Sequence, residues 1–137
     1  MRGVPDVAYQ ASAGTGVLVY ITAPGYTGIA CGTTTCSQGW YVVGGTSSGS
    51  PQFAAIVAIA DQLNGGPLGY INPALYRIGS DPVRYANDFY DVTTGKNQTD
   101  PTIAGYPATK GWDPVTGLGT PNAATLVPDL VKAVHGK

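Results

Sequence analysis

Eight consecutive residues, Phe53-Ala54-Ala55-Ile56-Val57-Ala58-Ile59-Ala60, carry no polar side chain. They lie between Ser48-Gly49-Ser50-Pro51 and Asn64-Gly65-Gly66. Serine followed by proline marks a helix start, because proline suits the first turn, where its missing N–H costs nothing. Asn-Gly-Gly marks the stop, since glycine takes the left-handed conformation that ends helices. A helix at the surface of a domain shows a polar stripe. This one shows none between Phe53 and Ala60, so it is expected to be buried on most sides, inside something larger than a hairpin of strands.

The flanking sequence is consistent with an α/β arrangement. Val17-Leu18-Val19-Tyr20-Ile21-Thr22 and Trp40-Tyr41-Val42-Val43 are β-branched and aromatic, and predict strands. Residues 23–38 read as loop. Asn72 to Gly79 predicts a short helix. Phe89 to Thr93 suggests a short strand, and 94–110 reads as loop. Thr120-Pro121-Asn122 opens a last helix through about His135, with Pro128 expected to interrupt or restart it. No repeat and no dividing linker is visible, so residues 1–137 read as part of one domain.

Charge excludes several functions. Charged residues make up 11% of the chain and its net charge is −1, against about 25% charged residues in ordinary domains. With no basic run, nucleic-acid binding through a cationic patch has little support. No apolar stretch approaches the ~20 residues of a membrane span. All eight acidic residues are aspartate, and there is no glutamate. A chain with few ion pairs has few to lose on acidification, which agrees with an extracellular, acidic setting and equally with compositional drift. Met1 to Asp6 does not read as a secretory leader. Cys31 and Cys36 bracket a short loop. A disulfide there, contributing about 2 kcal/mol, suits an exported protein; two free thiols suit a cytosolic one.

Two places could carry chemistry. The first is the strand, Gly44-Gly45-Thr46-Ser47, then helix. A serine at a helix N-terminus sits among unpaired N–H groups that stabilise a developing oxyanion. Equally, Ser47 or Ser48 could simply cap the helix. A serine nucleophile needs a base, and the one histidine, His135, is in the last turn of the last helix, where a cation suits the helix dipole. A Ser-His-Asp triad within these residues is therefore not expected. The second place is acidic: Asp88, Asp91 and Asp113, on segments rich in Gly and Thr. Calcium takes 6–8 oxygens from carboxylates and carbonyls. Aspartates in turns also bond their own backbone, and spacing alone favours that role.

Taken together, four segments resemble the C-terminal part of the sedolisins, serine-carboxyl peptidases with a subtilisin-like fold. These are Arg2-Gly3-Val4-Pro5-Asp6-Val7; Trp40 to Ser47 with Pro51 four on; Gly69-Tyr70-Ile71-Asn72-Pro73-Ala74-Leu75-Tyr76; and Asp91-Val92-Thr93-Thr94-Gly95 with Gly111-Trp112-Asp113-Pro114-Val115-Thr116-Gly117-Leu118-Gly119-Thr120-Pro121. The resemblance implies a parallel sheet with flanking helices, of which this is the C-terminal portion. It implies a secreted, acid-acting endopeptidase that hydrolyses polypeptide substrates. Ser47 aligns with the nucleophile. Asp91 and Asp113 align with the side-chain ligands of one Ca²⁺, and the carbonyls of Val92, Thr109 and Gly111 align with its other protein ligands. The family usually has glycine where this chain has Thr109.

The departure concerns mechanism. In sedolisins the base is a glutamate oriented by an aspartate, and a second aspartate helps form the oxyanion hole. All three precede the segment that begins at Arg2. The resemblance therefore implies a partner, the upstream part of the same domain, and these residues alone are expected to be inactive. The other readings are a catalytically inactive, truncated calcium-binding fragment and a Gly/Thr-rich extracellular binding module. A half-sheet would leave a strand edge and a helix face uncovered, which predicts a chain that is poorly soluble or molten by itself.

Overall fold

In a computed structural model, residues 3–12, 14–21, 29–31, 34–36 and 39–136 are described, with the backbone alone for 29–31 and 34–36. Among the described residues the chain is α/β, with four helices and three two-stranded antiparallel sheets. It divides into two compact units: residues 10–51, and residues 1–9 with 52–137. The side chains of Cys31 and Cys36 lie outside the described residues, and so does Arg2 of the first motif.

In the unit of residues 10–51, β1 (Val17–Ile21) pairs antiparallel with β4 (Gly39–Val43). A second pair joins β2 (Ile29–Cys31) to β3 (Thr34–Cys36). The register of β1 and β4 sets Leu18 opposite Val42 and Tyr20 opposite Trp40. Strand alternation puts these four on one face, and all four are exposed. Tyr41 points to the opposite face and is buried. Both strands were legible from their β-branched and aromatic residues. The parallel sheet was expected from the family resemblance; among the described residues every strand pairing is antiparallel.

Helix α1 (Thr46–Asn64) runs from that unit into the other. It begins earlier than Ser-Gly-Ser-Pro suggests, so Pro51 lies inside it. Gly45, at φ +99°, makes the turn that ends β4 and starts the helix; L side chains rarely adopt that conformation. The helix ends as Asn-Gly-Gly predicts. Gly65 is left-handed, its N–H donates to Gln62 O, and the N–H of Gly66 donates to Asp61 O. This is the paired-bond stop of a Schellman motif. Burial differs from the expectation. Ile56 and Ala60 face the core, whereas Ile59 and Leu63 are more than half exposed.

The core belongs to the unit of residues 1–9 and 52–137. Helix α2 (Asn72–Gly79) packs with α4 (Ala123–Val134), and α3 (Pro82–Asp88) packs on both. Leu75, Ile78, Leu126 and Leu130 are at most 1% exposed. Each such side chain contributes roughly 1.5–3 kcal/mol on burial. Pro128 does not interrupt α4. It removes one backbone bond, while Leu126, Val127, Leu130 and Ala133 hold both sides of it in the core. Helix α3 was missed in the sequence, although its start is signalled. Asp81 accepts from the N–H groups of Val83 and Arg84, and Pro82 follows it at the first helical position. Strand β5 (Phe89–Tyr90) pairs with β6 (Thr120–Pro121) and closes the unit.

The N-terminal motif is a clamp on this core. The Asp6 carboxylate accepts from Asn72 Nδ2 at 3.0 Å and from the Tyr76 hydroxyl at 2.6 Å. Its carbonyl accepts from Leu118 N at 2.9 Å, and Ala8 N donates to Gly119 O at 2.9 Å. The indole N–H of Trp112 donates to Pro5 O at 3.1 Å. Residues from three of the four motifs thus meet here.

Candidate functional site

The serine end of α1 separates two hydroxyls that the sequence left interchangeable. Ser48 is 8% exposed, and its hydroxyl donates to Gly45 O at 2.9 Å, with Gln10 O at 3.3 Å. Its N–H also closes the first turn on Gly45 O. Ser48 therefore takes the structural role. Ser47 is exposed, and among the described residues its hydroxyl has no hydrogen-bond partner. It follows the left-handed Gly45 by two residues and lies in the first turn, where backbone N–H groups have no helical acceptor. An oxygen so placed can reach a carbonyl carbon, with the helix dipole favouring the negative charge that then forms.

His135 ends α4 as its C-cap residue, and its Nε2 lies 2.7 Å from Asn64 Oδ1. That is the helix-terminal position expected from the sequence.

The acidic segment lies in the other unit, where the fold brings Asp91, Thr109, Gly111 and Asp113 together. Asp91 follows β5, and its Oδ2 accepts from Gly111 N at 2.9 Å. Asp113 is 1% exposed. Its Oδ1 accepts from the N–H groups of Val115 and Thr116, both at 2.8 Å, and its Oδ2 accepts from Thr109 N at 2.9 Å. Burial pushes the Asp113 pKa up, but the N–H groups of Thr109, Thr116 and Val115 outweigh it and hold it below the usual carboxylate range. Asp113 thus does organise its own turn, as spacing alone suggested, and it does so as an anion. Val92 is half-buried next to Asp91.

Gly111 is left-handed at φ +80°, and no residue other than glycine has positive φ among the described residues. Threonine at 109, where the family usually has glycine, therefore sits in ordinary backbone.

One observation bears on whether a hard cation suits this loop. Asp91 Oδ1 is buried and has no hydrogen-bond partner. A buried carboxylate oxygen left unpaired costs free energy; a cation beside it removes that cost. Carboxylates are oxygen donors of the kind calcium takes, so the chemistry of these residues fits a hard cation. No group of three or more His, Cys, Asp or Glu side chains able to hold a metal is found among the described residues. Any cation here would rely on backbone oxygens for much of its shell.

Asp88 differs from its two neighbours. It is fully buried at the end of α3, and both carboxylate oxygens are without a hydrogen-bond partner. Burial, then the charge of Asp129, pushes its pKa up against the opposing pull of Thr125, Arg84 and Lys132. The sequence grouped Asp88 with Asp91 and Asp113; the structure gives it a separate environment.

No family model matches the chain, but curated relatives do. Over 130 residues it is 41% identical to kumamolisin of Bacillus sp. (strain MN-32), which covers 95% of this chain and 20% of that protein. It is 47% identical over 93 residues to physarolisin of Physarum polycephalum, covering 62% of this chain and 16% of the relative. It is 39% identical over 89 residues to tripeptidyl-peptidase 1 of Dictyostelium discoideum, covering 62% and 14%. The chain thus spans about a fifth or less of the length of these relatives. Among the described residues no helix is long and apolar enough to cross a membrane.

Proposed function

This chain is sedolisin-family sequence along 95% of its length, and on that premise we propose that it is the nucleophile-bearing, C-terminal part of a secreted serine-type endopeptidase that works in acid. Ser47 is the nucleophile. Its hydroxyl oxygen attacks the peptide carbonyl, and its proton passes to a glutamate supplied by the upstream part of the domain, since this chain has no glutamate. A carboxylate base remains usable in acid, where histidine would be protonated. The parallel sheet belongs to the complete domain, with the upstream part covering the exposed side of α1 and the apolar face of the β1–β4 hairpin.

The single observation that carries this reading is the division of labour at the head of α1. Ser48 is buried and bonded to Gly45, which leaves Ser47 exposed and unengaged. If the motif were only a helix cap, one serine would suffice.

One calcium ion is proposed on Asp91 and Asp113, with the carbonyls of Val92, Thr109 and Gly111. When bound it supplies charge that fixes the 91–113 loop. The residues themselves already preorganise it: Gly111 N–H orients Asp91, and three backbone N–H groups hold Asp113 ionised.

The test is complementation. The chain alone, and the chain preceded by the upstream segment of its parent, are assayed for cleavage of a denatured protein in acid. Cleavage only by the longer protein, abolished by Ser47→Ala, is the expected result. Full cleavage by the Ser47→Ala form would overturn the assignment. Calcium binding by an inactive long form would favour the alternative, a calcium-binding fragment without catalysis.

A further inference from the structure

We propose that the Asp100–Pro101 bond is an acid scission site built into the fold: the Asp100 carboxylate attacks its own peptide carbonyl and releases Pro101, with water as the only co-reactant. The step uses no group outside its loop, so it stands apart from the peptidase reading.

Three of the eight aspartates precede a proline: Asp81, Asp100 and Asp113. Two properties weaken such a bond in acid. Its nitrogen belongs to a tertiary amide, which rotates more easily than an ordinary peptide and leaves readily once protonated. Proline also has no N–H, so the side chain cannot close a ring on the next backbone nitrogen and attacks the carbonyl carbon instead. In that step an Oδ–C bond forms and the C–N bond to proline breaks. The departing nitrogen takes a proton from the acidic medium. Water then opens the cyclic anhydride, leaving a new α-carboxyl group and the aspartate side chain as it was.

The structure restrains two of the three aspartates. Asp81 caps α3: its Oδ1 accepts from Val83 N and Arg84 N, and its Oδ2 lies 3.8 Å from Arg84 Nε. Asp113 is buried, and both its oxygens accept backbone N–H groups. Turning either carboxylate onto its own carbonyl would undo a helix cap or a buried turn. Asp100 and Pro101 are exposed. Asp100 Oδ1 accepts from Thr102 N at 2.8 Å and from the Thr102 hydroxyl at 2.6 Å, whereas Oδ2 has no hydrogen-bond partner among the described residues. The three scissile carbonyls are polarised alike: Asp100 O accepts from Ile103 N at 3.1 Å, Asp81 O from Tyr85 N at 2.8 Å and Asp113 O from Gly117 N at 2.9 Å. The unengaged oxygen and the exposure therefore single out Asp100.

The hydroxyl and then the N–H of Thr102 hold the Asp100 carboxyl below the usual carboxylate range. A nucleophilic carboxylate thus persists into acid, where the leaving nitrogen is protonated. Of the two lysines in residues 94–110, Lys96 donates to Gln98 Oε1 at 2.6 Å, and neither pairs with Asp100 among the described residues.

The cut would leave the rest of the unit standing. Residues 99–107 are all exposed, so the tip of the loop supplies nothing to the core. Below the tip, Asn97 N donates to Tyr106 O at 3.2 Å, Tyr106 N to Asn97 Oδ1 at 2.8 Å and Ala108 N to Gly95 O at 2.9 Å. These bonds hold the two pieces together, and acid converts a closed loop into two free ends.

The experiment is intact-mass spectrometry of the full chain and its Ser47→Ala form, held in neutral buffer and in the mildest acid that cuts while circular dichroism still shows a folded chain. In acid, cutting between Asp100 and Pro101 should be about tenfold or more faster than at Asp81–Pro82 or Asp113–Pro114, which the fold restrains. It should proceed equally in the two proteins. Asp100→Asn, which removes the internal nucleophile, and Pro101→Ala should each slow it about tenfold or more. In denaturant the three bonds should cut at similar rates. Equal rates at the three bonds in the folded chain, no cut after Asp100 in acid, or a cut that requires Ser47 would each overturn the proposal, and the first two would leave the peptidase reading untouched.

Discussion

The Tyr76 hydroxyl donates to Asp6 Oδ1 at 2.6 Å across 70 residues of sequence. Asn72, one helical turn earlier on α2, donates to the other oxygen of the same carboxylate. Hydrogen bonds to a charged group contribute about 1.5–3 kcal/mol each. Tyr76→Phe should therefore lower unfolding stability by about 2 kcal/mol, read as a reduced urea midpoint at unchanged slope. A loss below a few tenths of a kcal/mol would mean that the N-terminal segment is not fastened through Asp6.

Asp88 predicts stability that favours acid. Its folded pKa is raised, first by burial. The contribution is therefore fully present below the ordinary carboxylate value of about 3.9 and is lost as pH rises through the folded pKa. Asp88→Asn keeps the shape and removes the charge. It should raise stability near neutral pH, because a charge no longer has to be buried there, and flatten the pH profile. Identical profiles for the two proteins would contradict this.

Asp113 predicts the opposite slope. Its folded pKa is lowered because the backbone N–H groups of Thr109, Thr116 and Val115 outweigh its burial. Its contribution is present above the unfolded pKa and lost as pH falls through the folded one. Asp113→Ala strands three donors and should cost about 3 kcal/mol or more. It should also remove any calcium-dependent rise in thermal midpoint. A calcium shift of the same size in Asp113→Ala would show that the cation is held elsewhere.

The two serines should separate in their effects. Ser47→Ala should leave stability within about 0.5 kcal/mol, as exposed substitutions do, while abolishing cleavage by the complemented protein. Ser48→Ala loses the bond to Gly45 O and should cost about 1 kcal/mol. Thermal melts and the acid cleavage assay on the same pair of variants check this. Reversed effects would exchange the two roles.

The β1–β4 hairpin predicts association of the chain in isolation. Leu18, Tyr20, Trp40 and Val42 lie on one face, each more than half exposed, and patches of this kind drive contact. Sedimentation should show self-association that weakens in Trp40→Ser. The chain should also bind a hydrophobic dye in proportion to that exposure. A strictly monomeric chain without dye binding would remove the ground for expecting a covering segment.

What could be read in the sequence, and what could not, follows from how local each signal is. The stop of α1 is written in three adjacent residues, so Asn-Gly-Gly placed it correctly. The start was displaced because Gly45, which the pattern left between strand and helix, makes the turn that begins the helix early. Helix α3 has a local signal in Asp81-Pro82 but no apolar period to support it. Pro128 looked like a break because the sequence does not show how firmly Leu126 and Leu130 are gripped. The pairing of Asp6 with Tyr76 depends on packing between elements and left no local trace. The family resemblance marked Asp91 and Asp113. It did not reveal that the second of these holds its own loop, or that Asp88 lies apart.

The path of the chain through its larger unit has a practical consequence. It leaves that unit after Tyr9 and re-enters at Gln52, and the rings of Tyr9 and Phe53 meet edge to face with centroids 6.4 Å apart. Exit and entrance thus share one doorway. The intervening excursion could be cut out and the doorway bridged by a short glycine linker, yielding a miniature that retains the clamp, the acidic loop and the leucine-rich interior without Ser47. Such a miniature would let the acidic loop be studied apart from the serine-bearing hairpin.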